Sequence, residues 1–555
     1  MPLVVNMKSS RSRVFILASF VLLGLFLISA CQAGDGLSRT EAVRPTENPP
    51  TPFQSIDQTP TASVVYVWLS PGLPDRVRVQ VQEVIEQGTE GFQLTSEPSA
   101  AQVRIESGGE MQIATWVYAL VAPFASVEDG MSYETLQAFW SGEAPEGRQL
   151  FVSEETHEVM TDILGMPASS WVQTSAADEL LDLTWDENPA YAIVPFEDLE
   201  PRWKVLTLDG QSPIRKGFDR TLYPLSTIFG MSGDPAALAQ LWTVLDAPSS
   251  NYDPSKLTTL AMTGVTALTR ATAWRMETRG ISFPGELIGD WLQDADLAHV
   301  SNEVPFVSTC PYPDPVQEKL KFCSDPAYIQ LLVELGIDLV ELTGNHVWDY
   351  GSEELVFTLD LYRQYGMDYF GGGENLEDSV RVVRVEHNGN RLAFLGCNWI
   401  GPKYAWAAEE KPGAAPCDWT YFGEELRSLS DEGYLPIFTF QWAELAVPSP
   451  AQEEAFRDAA EAGAVIISGS QAHEPQGFEF LPGGFIHYGL GNLFFDQMQT
   501  IENRQEFIDL YVFYDGRHIS TELLTAMLEY HAQPRPMTPA ERSAFLERIF
   551  TASGW

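Results

Sequence analysis

The chain has 555 residues, 45% hydrophobic and 20% charged, which excludes fibrous, collagen-like and wholly disordered classes and leaves room for two domains. It carries 33 basic against 77 acidic residues, a net charge of −44, with no strong local basic patch visible along the sequence. Such a surface repels phosphate backbones and anionic headgroups, so nucleic-acid binding is not expected and any membrane attachment has to be hydrophobic or covalent.

Residues 1–31 supply that attachment. Lys8, Arg11 and Arg13 precede an uncharged apolar run from Val14 to Ala30, the pattern of an export signal, although its length is also that of a short membrane span. The run ends in Ile28-Ser29-Ala30-Cys31, and small residues before a cysteine resemble the bacterial lipobox, in which Cys31 is lipidated after cleavage. A plain cleaved signal is the alternative. The expected location is the outer face of the bacterial cell membrane, held by a lipid anchor that contributes about 0.8 kcal/mol per buried methylene. Residues 32–62 carry Pro45, Pro49, Pro50, Pro52 and Pro60 among polar residues with no apolar period, and read as a Pro/Thr-rich tether.

Residues 63–248 read as an α/β domain. A β-run at 64–69 leads to a helix over 76–87, strands at 102–106 and 113–122, and short apolar strands at 190–195 and 204–208. Tyr118 to Phe124, Ser132 to Trp140 with Gly142, and Tyr223-Pro224-Leu225-Ser226 resemble segments of type II solute-binding proteins. Asn251 to Ser255 punctuates the boundary. A second domain, 256–530, then alternates strands at 258–263, 296–300, 339–342, 391–396, 435–440 and 464–468 with helices at 326–335, 352–364 and 450–462. A strand pair lies around 485–495, and a tail with a short helix occupies 531–555. At the 450 helix, Ser449 can cap and Gln452 can reach back as in a capping box. The expectation is a layered α/β second domain beside an α/β first domain.

Functional groups in open α/β sheets gather beyond the carboxyl ends of the strands. Those positions hold Thr263 to Thr266, Ser301-Asn302-Glu303, Thr343 to Gly351, Gln441 to Glu444, Gly469 to His473 and Gly489 to Asn492. After Cys31, four cysteines remain in two local pairs, Cys310 with Cys323 and Cys397 with Cys417. In an exported protein this suggests two disulfides, with the other two connectivities and free thiols left open.

These strand-end loops carry a resemblance. Gly344-Asn345-His346 through Asp349-Tyr350-Gly351, then Gly371-Gly372-Gly373 and Tyr488 to Asn492, are similar to the capsule-synthesis protein CapA family, also described as poly-γ-glutamate synthesis proteins, over about 258–500. The resemblance implies a calcineurin-like metallophosphatase fold and a part in making, exporting or trimming an anionic cell-surface polymer, in company with its synthesis machinery. It also shows departures. Val265 stands where the family has a metal-binding Asp, Gln441-Trp442-Ala443 where it has His-Trp-Gly, and Gln471 with His473 where it has His-x-His.

The remaining set can hold one divalent ion (Mn, Zn, Mg or Ca) through Glu303, Asn345, His346 and His473, or none. His346, His473 and Asp349 are the candidate catalytic groups, and Asn302, Gln441, Gln471 and Asn492 the candidate substrate contacts. A two-metal hydrolase is not expected, because its bridging carboxylate and histidine pair are absent. Three readings stay open: a polymer-handling protein with a degenerate metal site, a non-catalytic ligand-binding or scaffold lipoprotein, and a one-metal hydrolase.

Overall fold

The computed structural model describes residues 64–86, 91–143, 148–168, 170–245 and 249–555. Cys31, the signal segment and the tether lie outside the described residues. Among those described, no helix is long and apolar enough to cross a membrane.

The amino-terminal part is one mixed sheet. Its order runs Phe92–Leu94, Val65–Leu69, Val103–Ser107, Ser226–Gly233, Met111–Pro123, Tyr191–Pro195, Leu150–Ser153 and Val172–Ser175. Met111–Pro123 is buried from Ile113 onward except at half-buried Thr115, so it serves as the shared spine of both halves of this sheet. The helix Asp75–Glu86 buries Val77, Val81 and Ile85, an i, i+4, i+8 stripe that fixes it on the sheet.

The carboxy-terminal part has four layers. One sheet orders Asp368–Phe370, Leu339–Glu341, Leu297–Asn302, Leu257–Thr263, Gln505–Tyr514, Arg517–Glu529 and Gln533–Pro536. The other orders Val383–His387, Asn390–Asn398, Leu435–Gln441, Ile466–Ser470, Gly484–His487 and Phe478–Leu481. Leu260, Met262, Leu339 and Phe370 of the first meet Phe394, Ile437, Ile466 and Phe485 of the second in a shared apolar layer. Helices Arg270–Arg279 and Ser352–Tyr365 pack on the outer side of one sheet, and Trp419–Asp431 and Pro450–Glu461 on that of the other. This is a layered α/β fold, as expected from the alternation of strands and helices.

Two local readings change. The strands Gln505–Tyr514 and Arg517–Glu529 are the longest pair in this part, yet the sequence pattern does not announce them. Both are buried along most of their length, so no period-2 alternation shows. The turn between them was legible, however: Asp515-Gly516, both at positive φ, is a two-residue hairpin loop. Gln452 does not form a capping box. Its backbone N–H donates to Ser449 Oγ at 3.2 Å, but its side-chain amide donates to Gln476 Oε1 and Tyr488 O. The capping box belongs instead to Thr538 and Glu541, at the start of Pro539–Ala552.

The two parts share cores. Val512, Tyr514 and Ile519 sit among the amino-terminal apolar residues, and Phe124 is surrounded edge-on by Phe478, Phe480, Phe485 and Trp555. Asn251, at the junction, exchanges two hydrogen bonds with the Val117 backbone and donates to Glu197. Both expected disulfides are present, Cys310–Cys323 and Cys397–Cys417.

Candidate functional site

In the first sheet, Leu257–Thr263, Leu297–Asn302 and Leu339–Glu341 run parallel; in the second, Asn390–Asn398, Leu435–Gln441 and Ile466–Ser470 do so. Their carboxyl ends come to one edge of the layered core. Asn398, Gln441 and Ser470 are in register across the second sheet. Ser301 Oγ and Ser470 Oγ, 2.8 Å apart, join the two sheets there.

The centre of the edge is an amide. Gln441 Nε2 donates to Glu303 Oε1 at 2.8 Å, lies 3.3 Å from Asn345 Oδ1, and also meets Gln471 Oε1. Three oxygens from three loops thus converge on one N–H₂ group, which has two protons to give. Gln441 Oε1, on the other side of the amide, is buried and has no protein partner among the described residues. The loops approach closely because glycine permits it: a Cβ on Gly344 would stand 2.8 Å from Glu303 Cα. Gln471 reaches the centre from a φ of +83°, a conformation that costs a side chain with a Cβ roughly 1 kcal/mol.

Two histidines flank this centre. His346 Nδ1 pairs with Asp349 Oδ2 at 2.8 Å, and the ring packs on Phe322 with centroids 4.6 Å apart. Burial pulls the imidazole pKa down, but the Asp349 hydrogen bond and the charges of Glu303 and Asp349 outweigh it, so the net shift is upward. His473 Nδ1 pairs with Asn492 Oδ1 at 2.8 Å and stacks on Phe495 at 4.9 Å. Asn492 returns its amide to His473 O and Asn503 O. Asn302 stands apart from the cluster in its bonding, donating to Val304 O and Tyr362 OH.

The sequence reading missed Arg270. Its guanidinium lies 4.8 Å from the Phe322 ring and 5.0 Å from the Phe495 ring, and it pairs with Asp496. Arg270 therefore links the aromatic partners of both histidines. The available signal was its place just after the first strand-end loop, in a chain poor in basic residues. Val265 is fully buried and pairs with the strand ends at Ser301 and Asn492, a packing role.

These donors fit a metal centre poorly. A single carboxylate, Glu303, faces the convergence point, where an amide N–H already sits. Among the described residues no three His, Cys, Asp or Glu side chains are grouped to hold an ion. What the arrangement offers is a buried polar cluster edged by the part-buried imidazole and amide of His346 and Asn345.

Residues 259–497 match the family model described as bacterial capsule synthesis protein PGA_cap. The chain is 29% identical over 218 residues to the capsule biosynthesis protein CapA of Bacillus anthracis, covering 38% of this chain and 53% of that protein. It thus spans about half the length of that relative. Slight structural likenesses occur to a 5'-nucleotidase precursor from Thermus thermophilus (14% identity, TM-score 0.30, 54% of this chain and 58% of that one). Another is to an ABC-type phosphate transport receptor from Vibrio cholerae (13% identity, TM-score 0.29, 33% and 93%). Both scores are low, and the fold stands on its own strand order. The six strand-end loops of the candidate site all lie within residues 259–497, the segment that is similar to the bacterial capsule synthesis protein PGA_cap family.

Proposed function

We propose that the chain is an exported lipoprotein, anchored through Cys31 on the outer face of the bacterial cell membrane, that takes part in making, exporting or handling a capsule or poly-γ-glutamate polymer. The family likeness of residues 259–497 supports the polymer, and the name of the Bacillus anthracis relative points the same way. The lipobox-like Cys31 supports the anchor. Within that role the site acts by binding, with a degenerate metal site. The observation that carries this is Gln441, whose Nε2 stands where Glu303, Asn345 and Gln471 point their oxygens.

The alternative is a one-metal hydrolase using His346 and His473. Elemental analysis of the full chain, after incubation with manganese, zinc, magnesium and calcium, separates the two. Binding of about one equivalent, lost in His346→Ala, overturns the binding-site reading. No retained metal, together with co-sedimentation of the chain with poly-γ-glutamate, is the expected result.

A further inference from the structure

The helix Arg270–Arg279 opens on a strained residue. Arg270 holds a φ of +45°, a region that a residue with a Cβ rarely occupies, so the surrounding contacts must keep it there. Asp496 supplies part of that hold. Its side chain is 8% exposed, pairs with the guanidinium through Oδ1 and accepts the Ala271 N–H on Oδ2 at 3.0 Å. Thr269, at the N-cap, makes no side-chain bond to the helix, so Asp496 caps the first turn from another loop. Aromatic rings supply the rest. Arg270 Cζ lies 4.8 Å from the Phe322 ring and 5.0 Å from the Phe495 ring, while Nε is buried with no hydrogen-bond partner among the described residues. Phe322 and Phe495 sit with Ala267 and Val304 in a small apolar cluster apart from the main cores.

Each ring in turn meets a histidine, Phe322 touching His346 at 4.6 Å and Phe495 stacking on His473 at 4.9 Å. The row therefore runs His346, Phe322, Arg270, Phe495, His473, five planar groups from five separate segments. The imidazoles are also held by Nδ1, on Asp349 Oδ2 and Asn492 Oδ1, both at 2.8 Å. Asn492 gives its N–H₂ group to His473 O and Asn503 O, which assigns Oδ1 to the ring and the ring proton to Nδ1. Nε2 is then the nitrogen each imidazole has left for a second partner.

We propose that Arg270 is the positioning residue of this site: by holding Phe322 and Phe495 together, it sets the direction in which both imidazoles present Nε2. A guanidinium is a plane that can lie against two rings and still pair with a carboxylate. A lysine ammonium carries the same charge without the plane. Charge and position can be told apart here. Burial and the charge of Arg270 pull the His346 imidazole pKa down, against the stronger upward effect of Asp349 and Glu303. The inference rests on the binding-site reading for what the histidines serve, and on the ring contacts alone for Arg270.

The test is NMR of the full chain in detergent, labelled at histidine. The chain has eight histidines, and His346→Gln and His473→Gln assign the two ring signals. Arg270→Met and Arg270→Lys are compared with Arg542→Met, which removes an arginine of matching burial (side chain 16% against 17% exposed) that pairs with Asp129 outside the row. Both Arg270 variants are expected to shift the ring-proton signals of both histidines, since the imidazoles lose their fixed place beside Phe322 and Phe495. Arg542→Met should leave them unmoved. The His346 titration should rise in Arg270→Met and not in Arg270→Lys, which keeps the charge. Poly-γ-glutamate co-sedimentation should weaken at least roughly tenfold in both Arg270 variants. Unmoved signals in Arg270→Met, movement of His346 alone, parent-like signals in Arg270→Lys, or equal movement in Arg542→Met each overturn the positioning role. Polymer binding that persists with both rings displaced overturns it as well. A parent chain that binds no poly-γ-glutamate removes the polymer reading, and ring signals displaced in both Arg270 variants then still uphold the role of Arg270.

Discussion

The backbone N–H of Phe322 and the imidazole of His346 meet on one oxygen, Asp349 Oδ2, at 2.7 and 2.8 Å. Asp349 thus ties a disulfide-closed loop to His346, the less buried of the two site histidines. Replacing it with asparagine removes a charge-assisted partner, and the His346 pKa should fall, because burial would then dominate. The sign for stability follows. A raised folded-state pKa stabilises fully below the ordinary imidazole value, and that stabilisation is lost as pH rises through the raised one. Asp349→Asn should therefore lose most stability under mildly acidic conditions, by roughly 1.5–3 kcal/mol. NMR titration of the His346 ring checks it; an unmoved titration would sink the assignment.

Gln441→Ala deletes the only N–H₂ on which Glu303, Asn345 and Gln471 converge. Glu303 is 2% exposed, so its carboxylate loses a buried donor, at a cost of roughly 1–3 kcal/mol. Urea unfolding should show a lower midpoint with an unchanged slope. Gln441→Glu should cost more at neutral pH, since it places a second carboxylate against the first. Equal stability of all three proteins would mean that the amide does not organise the site.

Much of this site was legible in the sequence, because strand-end loops can be found from apolar runs followed by Gly, Asn and His. Asn345-His346 and Gln471-Ala472-His473 stood out on that ground alone. What was not legible came from pairings across long separations. Gln441 meets Glu303 across 138 residues. Asn302 shows the converse: it sits at the right place in the motif, yet Tyr362, 60 residues on, takes its amide. In the fold, the alternation of strands and helices exposed the layers. The long pair Gln505–Tyr514 and Arg517–Glu529 stayed hidden because burial of both faces erases the period of two.

At the junction of the two parts, burial pushes the Glu197 carboxyl up to about 7, although Asn251 and Trp116 both donate to it. An unfolded glutamate ionises near its ordinary value, so between there and about pH 7 the folded state keeps a proton the unfolded chain has released. Stability from this group is therefore lost as pH rises through that window, by an amount on the order of 3 kcal/mol at most. Glu197→Gln should flatten the dependence of the melting temperature on pH between about 5 and 7.5. A wild-type melting temperature that rises steadily across this range, with an identical rise in the variant, would exclude Glu197 as the source.

The Cys310–Cys323 bond has a reach beyond its own loop. It closes a separation of 13 residues, for which loop-closure entropy gives about 3 kcal/mol of stabilisation. Its second cysteine follows Phe322, which touches His346 with its ring and Asp349 with its backbone. Cys310→Ser/Cys323→Ser should thus act twice: the melting temperature drops, and the His346 titration shifts as Phe322 loosens. Cys397→Ser/Cys417→Ser is the comparison, because that bond joins the strand Asn390–Asn398 to the segment before Trp419–Asp431 and takes no part in the Phe322–His346 contact. It should lower stability without moving the His346 titration. If both double variants shift the titration alike, global loosening rather than the Phe322 contact controls the histidine.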